Sequence, residues 1–211
     1  IDKDGRGDPQ AMLAFQRLLD TLGDFESPGA IAEALVDWMD RDQDVTGLGG
    51  REDRDYAILD PAYRTSGGAL TSPTVLLLVA GVTVEVWSRL RLFVTTLPRR
   101  GEQASLVNVN TAPAEVLSAW TGVDLAVAGE IVSERGDDPF DAVGEFKSRL
   151  AGSVSGDELE QIDFTGFGVV STYFLVESEA RFGNVGLSMR HLIERDGEST
   201  KVLARSMGGD W

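Results

Sequence analysis

Apolar residues recur every three or four positions through roughly the first 150 residues, and the texture then changes to β-branched and aromatic residues in near alternation. The first regime predicts amphipathic helices and the second predicts strands. Asp8-Pro9 opens a helix whose apolar residues Met12, Leu13, Phe15, Leu18, Leu19 and Leu22 recur at three and four, with Gly23 as its stop. Ser27-Pro28 caps a second, whose inner side is Ile31, Ala34, Leu35 and Trp38. Ser72-Pro73 starts a third through Leu76, Leu77 and Val79 to Gly81, and Thr83 caps a fourth through Val86, Trp87 and Leu90. Thr111 and Pro113 then predict a helix with Val116, Leu117 and Trp120 inside, ended by Gly122 in the left-handed conformation. Asp124 caps the next, with Leu125, Ala128, Ile131 and Val132 as its buried face and Arg135-Gly136 as its end. Residues 143–150 and the capping box Ser155-Gly156-Asp157-Glu158 add two short helices. Strands follow at 169–179, 185–193 and 201–206, separated by turns at Phe182-Gly183-Asn184 and Asp196-Gly197, which reads as an antiparallel meander. The expected class is α+β, with helices and sheet segregated along the chain.

The two helices around Gly122-Val123-Asp124 resemble the helix-hairpin-helix of DNA-binding proteins, in which a Gly-apolar-Gly turn offers backbone N–H groups to phosphate. Here an Asp stands where the second glycine would be. Residues 108–146 hold eight acids against one base, whereas affinity for nucleic acid rests on cationic side chains that release counterions. The whole chain carries 35 acids and 19 bases for a net charge of −16, which repels nucleic acid and anionic lipid and favours cations. The hairpin is therefore expected as architecture, and a nucleic-acid-binding module is the competing reading.

Periodicity stops between Asp37 and Asp60, where Asp37, Asp40, Asp42, Asp44, Glu52, Asp53, Asp55 and Asp60 crowd among glycines at 47, 49 and 50. A long irregular loop is expected, of a kind that is commonly functional. Asp40, Asp42 and Asp44 alternate in the way that lets a loop fold oxygens around one cation, and Ca²⁺ takes six to eight oxygen ligands. Glu52 and Asp53 could close the shell across the 47–50 turn. The sequence is not an EF-hand, since Val45 and Arg51 fill the sixth and twelfth places counted from Asp40. A solvated acidic loop explains the same spacing.

Catalytic signals are few. His191 is the only histidine and falls in a predicted strand. Gly152-Ser153-Val154-Ser155-Gly156 has Val at the centre of what would be a nucleophile elbow, and no Gly-rich loop precedes a Lys-Ser/Thr pair. No catalytic residue and no organic cofactor is assigned; a metal-dependent hydrolase built on the acidic cluster is a third reading. With no cysteine, disulfides and thiolate zinc sites are excluded. No apolar run reaches the roughly 20 residues that span a bilayer. Ile1-Asp2-Lys3-Asp4-Gly5 reads as the middle of a strand-turn, so a preceding segment that includes an anchor is expected.

Several stretches, in order, resemble the GspK family of minor pseudopilins of the bacterial type II secretion system. They are Leu35-Val36-Asp37-Trp38-Met39-Asp40-Arg41-Asp42, the Gly-x-Glu-Asp run at 50–53, Asp60-Pro61-Ala62-Tyr63-Arg64, Val79-Ala80-Gly81-Val82-Thr83, residues 107–117, and Ser171-Thr172-Tyr173-Phe174. The resemblance implies a pilin-like antiparallel sheet carrying a large inserted all-α domain. Residues 1–8 and 163–211 would form the pilin-like part, and 9–162 the insertion with its acidic metal-binding loop at 37–60. It also implies structural calcium near that loop, with Asp40, Asp42, Asp44, Glu52 and Asp53 as candidate ligands. The implied role is non-enzymatic: a periplasmic subunit of a Gram-negative bacterium, anchored in the inner membrane, that caps the pseudopilus tip. Its implied partners are minor pseudopilins of the GspI, GspJ and GspH types and the major pseudopilin. The family's hydrophobic N-terminal helix does not occur here, nor does the Asn-Leu-Asn-like strand expected soon after Asp4-Gly5, so the anchor and first strand are inferred.

Overall fold

A computed structural model of the chain describes residues 6–98 and 105–207. The strand-turn expected at residues 1–5, and Trp211, lie outside these. The helices in order are α1 (Pro9–Leu22), α2 (Pro28–Met39), α3 (Asp53–Tyr56), α4 (Val84–Leu90), α5 (Ala114–Thr121), α6 (Leu125–Glu134), α7 (Val143–Ala151) and α8 (Gly156–Glu160). Short 3₁₀ turns fill Pro73–Leu78 and Phe164–Gly166. The strands are β1 (Val107–Asn108), β2 (Phe167–Gly168), β3 (Tyr173–Phe182), β4 (Val185–Asp196) and β5 (Ser199–Met207). The class is α+β, as the periodicity predicts.

Caps set several helix ends. The carboxylate of Asp8 accepts from the Ala11 N–H, Thr83 Oγ1 accepts from Val86, and Asp124 accepts from Ala126, each taking up a donor the helix cannot use. Four local expectations are corrected. Ser27 stands at the start of α2 in the left-handed region, at φ 53°, and its hydroxyl caps nothing. Thr111 does not cap α5, which begins after Pro113; residues 108–112 are instead folded into a turn in which the Thr111 and Ala112 N–H groups donate to the Asn108 carbonyl. The helix expected from Ser72-Pro73 is a tighter 3₁₀ turn. Leu125 is exposed rather than buried, as is Ala126 beside it in the first turn of α6, and Ala128 and Ile131 carry the inner face.

Two apolar clusters form. The first gathers Leu18 and Leu19 of α1, Ile31 and Trp38 of α2, Tyr56, Leu76, and Val86 and Leu90 of α4. The second gathers Val109, Leu117, Ile131, Phe140, Phe146, Leu150 and Phe167, with Phe146 in contact with the rings of Phe140, Phe164 and Phe167. Packing of α1 against α5 joins them. At that junction Gly122 has φ 77°, a left-handed conformation that favours glycine, with the Arg17 guanidinium lying over it.

Near-alternation gives no hint of the parallel pair β1–β2, which matches Val107 with Phe167 and Asn108 with Gly168. It explains the Asn-Val-Asn stretch. Asn108 Nδ2 donates to Ser171 Oγ at 2.8 Å, while the Asn110 amide clasps the Phe140 N–H and C=O at 2.9 Å each and donates to the Val169 carbonyl at 3.1 Å. Arg135 completes the clasp by donating to the Val109 and Ala112 carbonyls.

Strands β3, β4 and β5 form an antiparallel meander, with Phe182 opposite Val185 and turn glycines Gly183 and Gly197 at φ 57° and 58°. Register and the twofold alternation sort its side chains. Glu177 and Arg190 pair on one face at 2.6 Å, and Phe174, Val176, Phe182, Val185, Leu187, Ile193 and Val202 share the other.

Candidate metal centre

The acidic stretch is more ordered than a loop. Helix α2 runs through Asp37 to Met39, and α3 takes up Asp53–Tyr56 inside the expected irregular segment. Asp55 starts α3 by reaching back: its Oδ2 takes the N–H of Glu52 at 3.0 Å, while its own N–H donates to the Glu52 backbone carbonyl at 2.8 Å. Between the two helices the chain folds flat onto α2. Thr46 N–H donates to Asp37 at 3.0 Å, Gly49 N–H to Glu33 Oε2 at 2.6 Å, and Gly50 N–H to the Thr46 carbonyl at 3.0 Å. A Cβ on Gly50 would meet Asp37 Oδ2 at 2.2 Å, so only glycine lets the backbone close over that carboxylate.

This folding brings Asp37, Asp40 and Glu52 together, with one carboxylate oxygen from each lying within 4.8 Å of the others. All three are buried, with 0%, 5% and 1% of their surfaces exposed. Asp40 Oδ1 and both carboxylate oxygens of Glu52 are fully buried with no hydrogen-bond partner among the described residues. An unpaired buried charge is costly, and here three repel one another. Burial first, and then the charges of Asp37, Asp40 and Asp42, push the Glu52 carboxyl up to about 7. Burial and the neighbouring Asp42, Asp37 and Asp44 push Asp40 up to about 6. Asp37 is also raised by burial, against the lowering effect of its Thr46 hydrogen bonds.

Of the residues singled out by spacing, Asp40 and Glu52 therefore share the cluster. Asp42 and Asp44 are exposed beside it, with Asp42 Oδ1 accepting from the Asp44 N–H at 2.9 Å. Asp53 Oδ1 is taken by the backbone and hydroxyl of Thr65 at 3.0 and 2.9 Å. Asp37 belongs to the cluster but not to the candidate ligands read from the sequence; its signal is the three-residue step to Asp40 at the end of a helix. The set fits a cation. All of its donors are carboxylate oxygens, as a hard ion such as Ca²⁺ prefers, and the unpartnered oxygens are those an ion would satisfy.

The hairpin turn offers little to a phosphate. The Gly122 N–H donates to the Ser118 carbonyl at 2.7 Å, the Val123 N–H lies 3.4 Å from Thr121 Oγ1, and Asp124 faces the Ala126 N–H. His191 sits within β4 between Val176 and Arg205, on the sheet rather than in the acidic cluster. Among the described residues, no helix is long and apolar enough to cross a membrane.

Comparison with known proteins joins these features. Two family models described as type II secretion system (T2SS), protein K, match residues 1–99 and 107–165, well over half of the chain together. Type II secretion system protein K of Pseudomonas aeruginosa PAO1 is 34% identical over 205 residues, which is 95% of this chain and 58% of that protein. The Klebsiella pneumoniae protein of the same description is 27% identical over 220 residues, covering 100% of this chain and 64% of its own length. The chain thus spans less than two thirds of these relatives. A solved structure, the GspK-GspI-GspJ complex from the type 2 secretion system of enterotoxigenic Escherichia coli, includes a chain of the same fold, with a TM-score of 0.80 and 23% identity. That match covers 100% of this chain and 73% of the other. A helical body carrying a buried acidic cluster, matched over residues 1–99 and 107–165 by these models, with a relative 34% identical over 95% of the chain, makes the chain a member of the type II secretion system protein K family.

Proposed function

We propose that the chain is the globular part of a minor pseudopilin that closes the tip of the type II secretion pseudopilus and performs no bond-breaking chemistry. The observation that carries this reading is the family membership, read together with the shape of the molecule. A subunit that continues a filament must present the next copy with the surface it has just used. A helical body of about 150 residues beside a meander is too bulky to repeat inside a slim filament, which favours a terminal place. In this reading residues 1–8 and 163–211 are the pilin-like part, 9–162 are the insertion, and a segment ahead of residue 1 anchors the protein in the inner membrane with the globular part in the periplasm. Its partners are minor pseudopilins of the GspI and GspJ types, as in the solved complex, and by extension GspH and the major pseudopilin. Mixing the purified chain with these pseudopilins and separating by size is the direct test: one discrete co-eluting complex is expected, and independent elution of every component would reject the assignment.

Calcium is the cation that suits the Asp37, Asp40 and Glu52 oxygens, and its role is to neutralise them. Binding to the folded state alone stabilises by mass action, about 2.7 kcal/mol at a hundred times the Kd. Thermal melting with excess calcium against chelator checks it; identical midpoints would remove the metal from the picture. The nucleic-acid and hydrolase readings have no comparable support, given the acid surplus around the hairpin and the engaged turn amides.

A further inference from the structure

The stretch from Asp40 to Ser66 is held differently from the rest of the helical body. Of its apolar side chains only Tyr56 is buried in a core cluster, with Tyr63 packed partly against it. Its other ties to the body are polar: Thr46 to Asp37, Gly49 to Glu33, and Ser66 Oγ and Gly67 N–H to the Trp38 carbonyl at 3.0 and 3.2 Å. Two of the three clustered carboxylates, Asp40 and Glu52, belong to this stretch, while Asp37 belongs to α2. Repulsion within the cluster therefore pushes the stretch off the helix that carries it. Segments with few buried apolar contacts open locally well before the whole protein unfolds.

We infer that residues 40–66 form a latch that a divalent cation closes, so that cation supply sets the lifetime of the subunit against proteases without changing the rest of the fold. This inference rests on the calcium reading above. The latch carries Arg41, Arg51, Arg54 and Arg64, all exposed and all substrates for an arginine-directed protease once the backbone is free to extend. Cleavage that waits on a fast local opening tracks the population of the open form, and a ligand lowers that population by one plus the ratio of its concentration to Kd. The helices α5 to α7 and their aromatic cluster share no residue with the latch.

The test is limited trypsin digestion of the chain in chelator and in calcium, with cut sites identified by mass spectrometry and calcium binding measured separately by titration calorimetry. At a hundred times the measured Kd, cleavage after Arg41, Arg51 and Arg54 is expected to slow about a hundredfold. Cleavage after Arg181 and Arg195 in the sheet should not change, and the far-ultraviolet circular dichroism should persist in chelator. Calcium that binds without protecting these sites overturns the latch and leaves the metal reading standing. Loss of the whole helical spectrum in chelator overturns it too, since the opening is then global. Absence of any binding heat removes the metal reading and the latch with it. Glu52→Gln relieves the repulsion without changing side-chain shape, so in chelator it should be cut more slowly than the natural chain and should gain little from calcium. Equal cutting of the two chelated proteins would contradict the repulsion on which the latch depends.

Discussion

The helical body and the three-stranded sheet are built from comparable shares of apolar residues, yet they use them in opposite ways. In the body, α1 packs its apolar stripe against α2 and α5, α7 turns Phe146 and Leu150 into the second cluster, and Phe146 there is 0% exposed. In the sheet, no residue of β3, β4 or β5 reaches the buried class, and Phe182 at the hairpin end is 90% exposed. A helix stripe of the body finds its cover in other helices of the same chain, whereas one face of a meander needs a second layer from elsewhere. The body thus supplies its own stability, and the sheet is held by cross-strand pairs and at the start of β3, where Tyr173 donates to the Pro98 carbonyl at 3.0 Å.

The contrast is broken most directly at Phe146. Phe146→Ala removes a ring packed against three others and should cost about 3–5 kcal/mol, read as a shift of the urea midpoint. A cost below about 1 kcal/mol would mean that the second cluster is not a closed core. Arg135 sharpens the same side. Its half-buried guanidinium donates to two carbonyls, Val109 and Ala112, and Arg135→Met should cost about 2 kcal/mol by leaving them without a charged partner.

The cation-free protein tests the one place where the body is strained. Burial raises the folded-state carboxyls of Glu52 to about 7 and Asp40 to about 6, above their unfolded values, so the folded state holds more protons in that window. Stability in chelator should therefore be highest near pH 5 and fall as pH rises through 7, by about 1–3 kcal/mol. Calcium reverses the slope, because it binds the deprotonated carboxylates. A cation-free melting point that rises between pH 5 and 8 would show that the three oxygens already have partners.

Helix ends were legible wherever the determinant is local. Asp8, Thr83, Asp124 and Ser155 cap as their spacing predicts, and Asp124→Ala should cost about 1 kcal/mol in a chevron or melting comparison. What escaped the sequence depends on distant partners. The β1–β2 pair joins residues about sixty apart, and two residues per strand are too few to show alternation. Thr111 loses its capping role because Asn108 and Asn110 reach across to Ser171, Phe140 and Val169, contacts that no local pattern encodes. Asp37 hides in the apolar run Leu35-Val36-Asp37-Trp38, where a carboxylate facing inward makes sense only once Glu52 is folded against it. The exposed face of the sheet was legible as alternation, but alternation does not say whether a second layer is present.

The smallest expected effect falls on that face. Phe182→Ser removes a large aromatic side chain from a position that is almost wholly solvated in the isolated chain, so unfolding should change by less than about 0.5 kcal/mol. The neighbouring Val185, opposite it in the register, predicts the same. Equilibrium unfolding at two protein concentrations separates the alternatives. A small, concentration-independent change keeps the sheet as a surface waiting for cover. A loss above about 1 kcal/mol that grows with protein concentration would mean that two copies already lay these faces together. In that case the contrast with the helical body would be one of partner and not of kind, since both halves would close their apolar surfaces, one within the chain and one between chains.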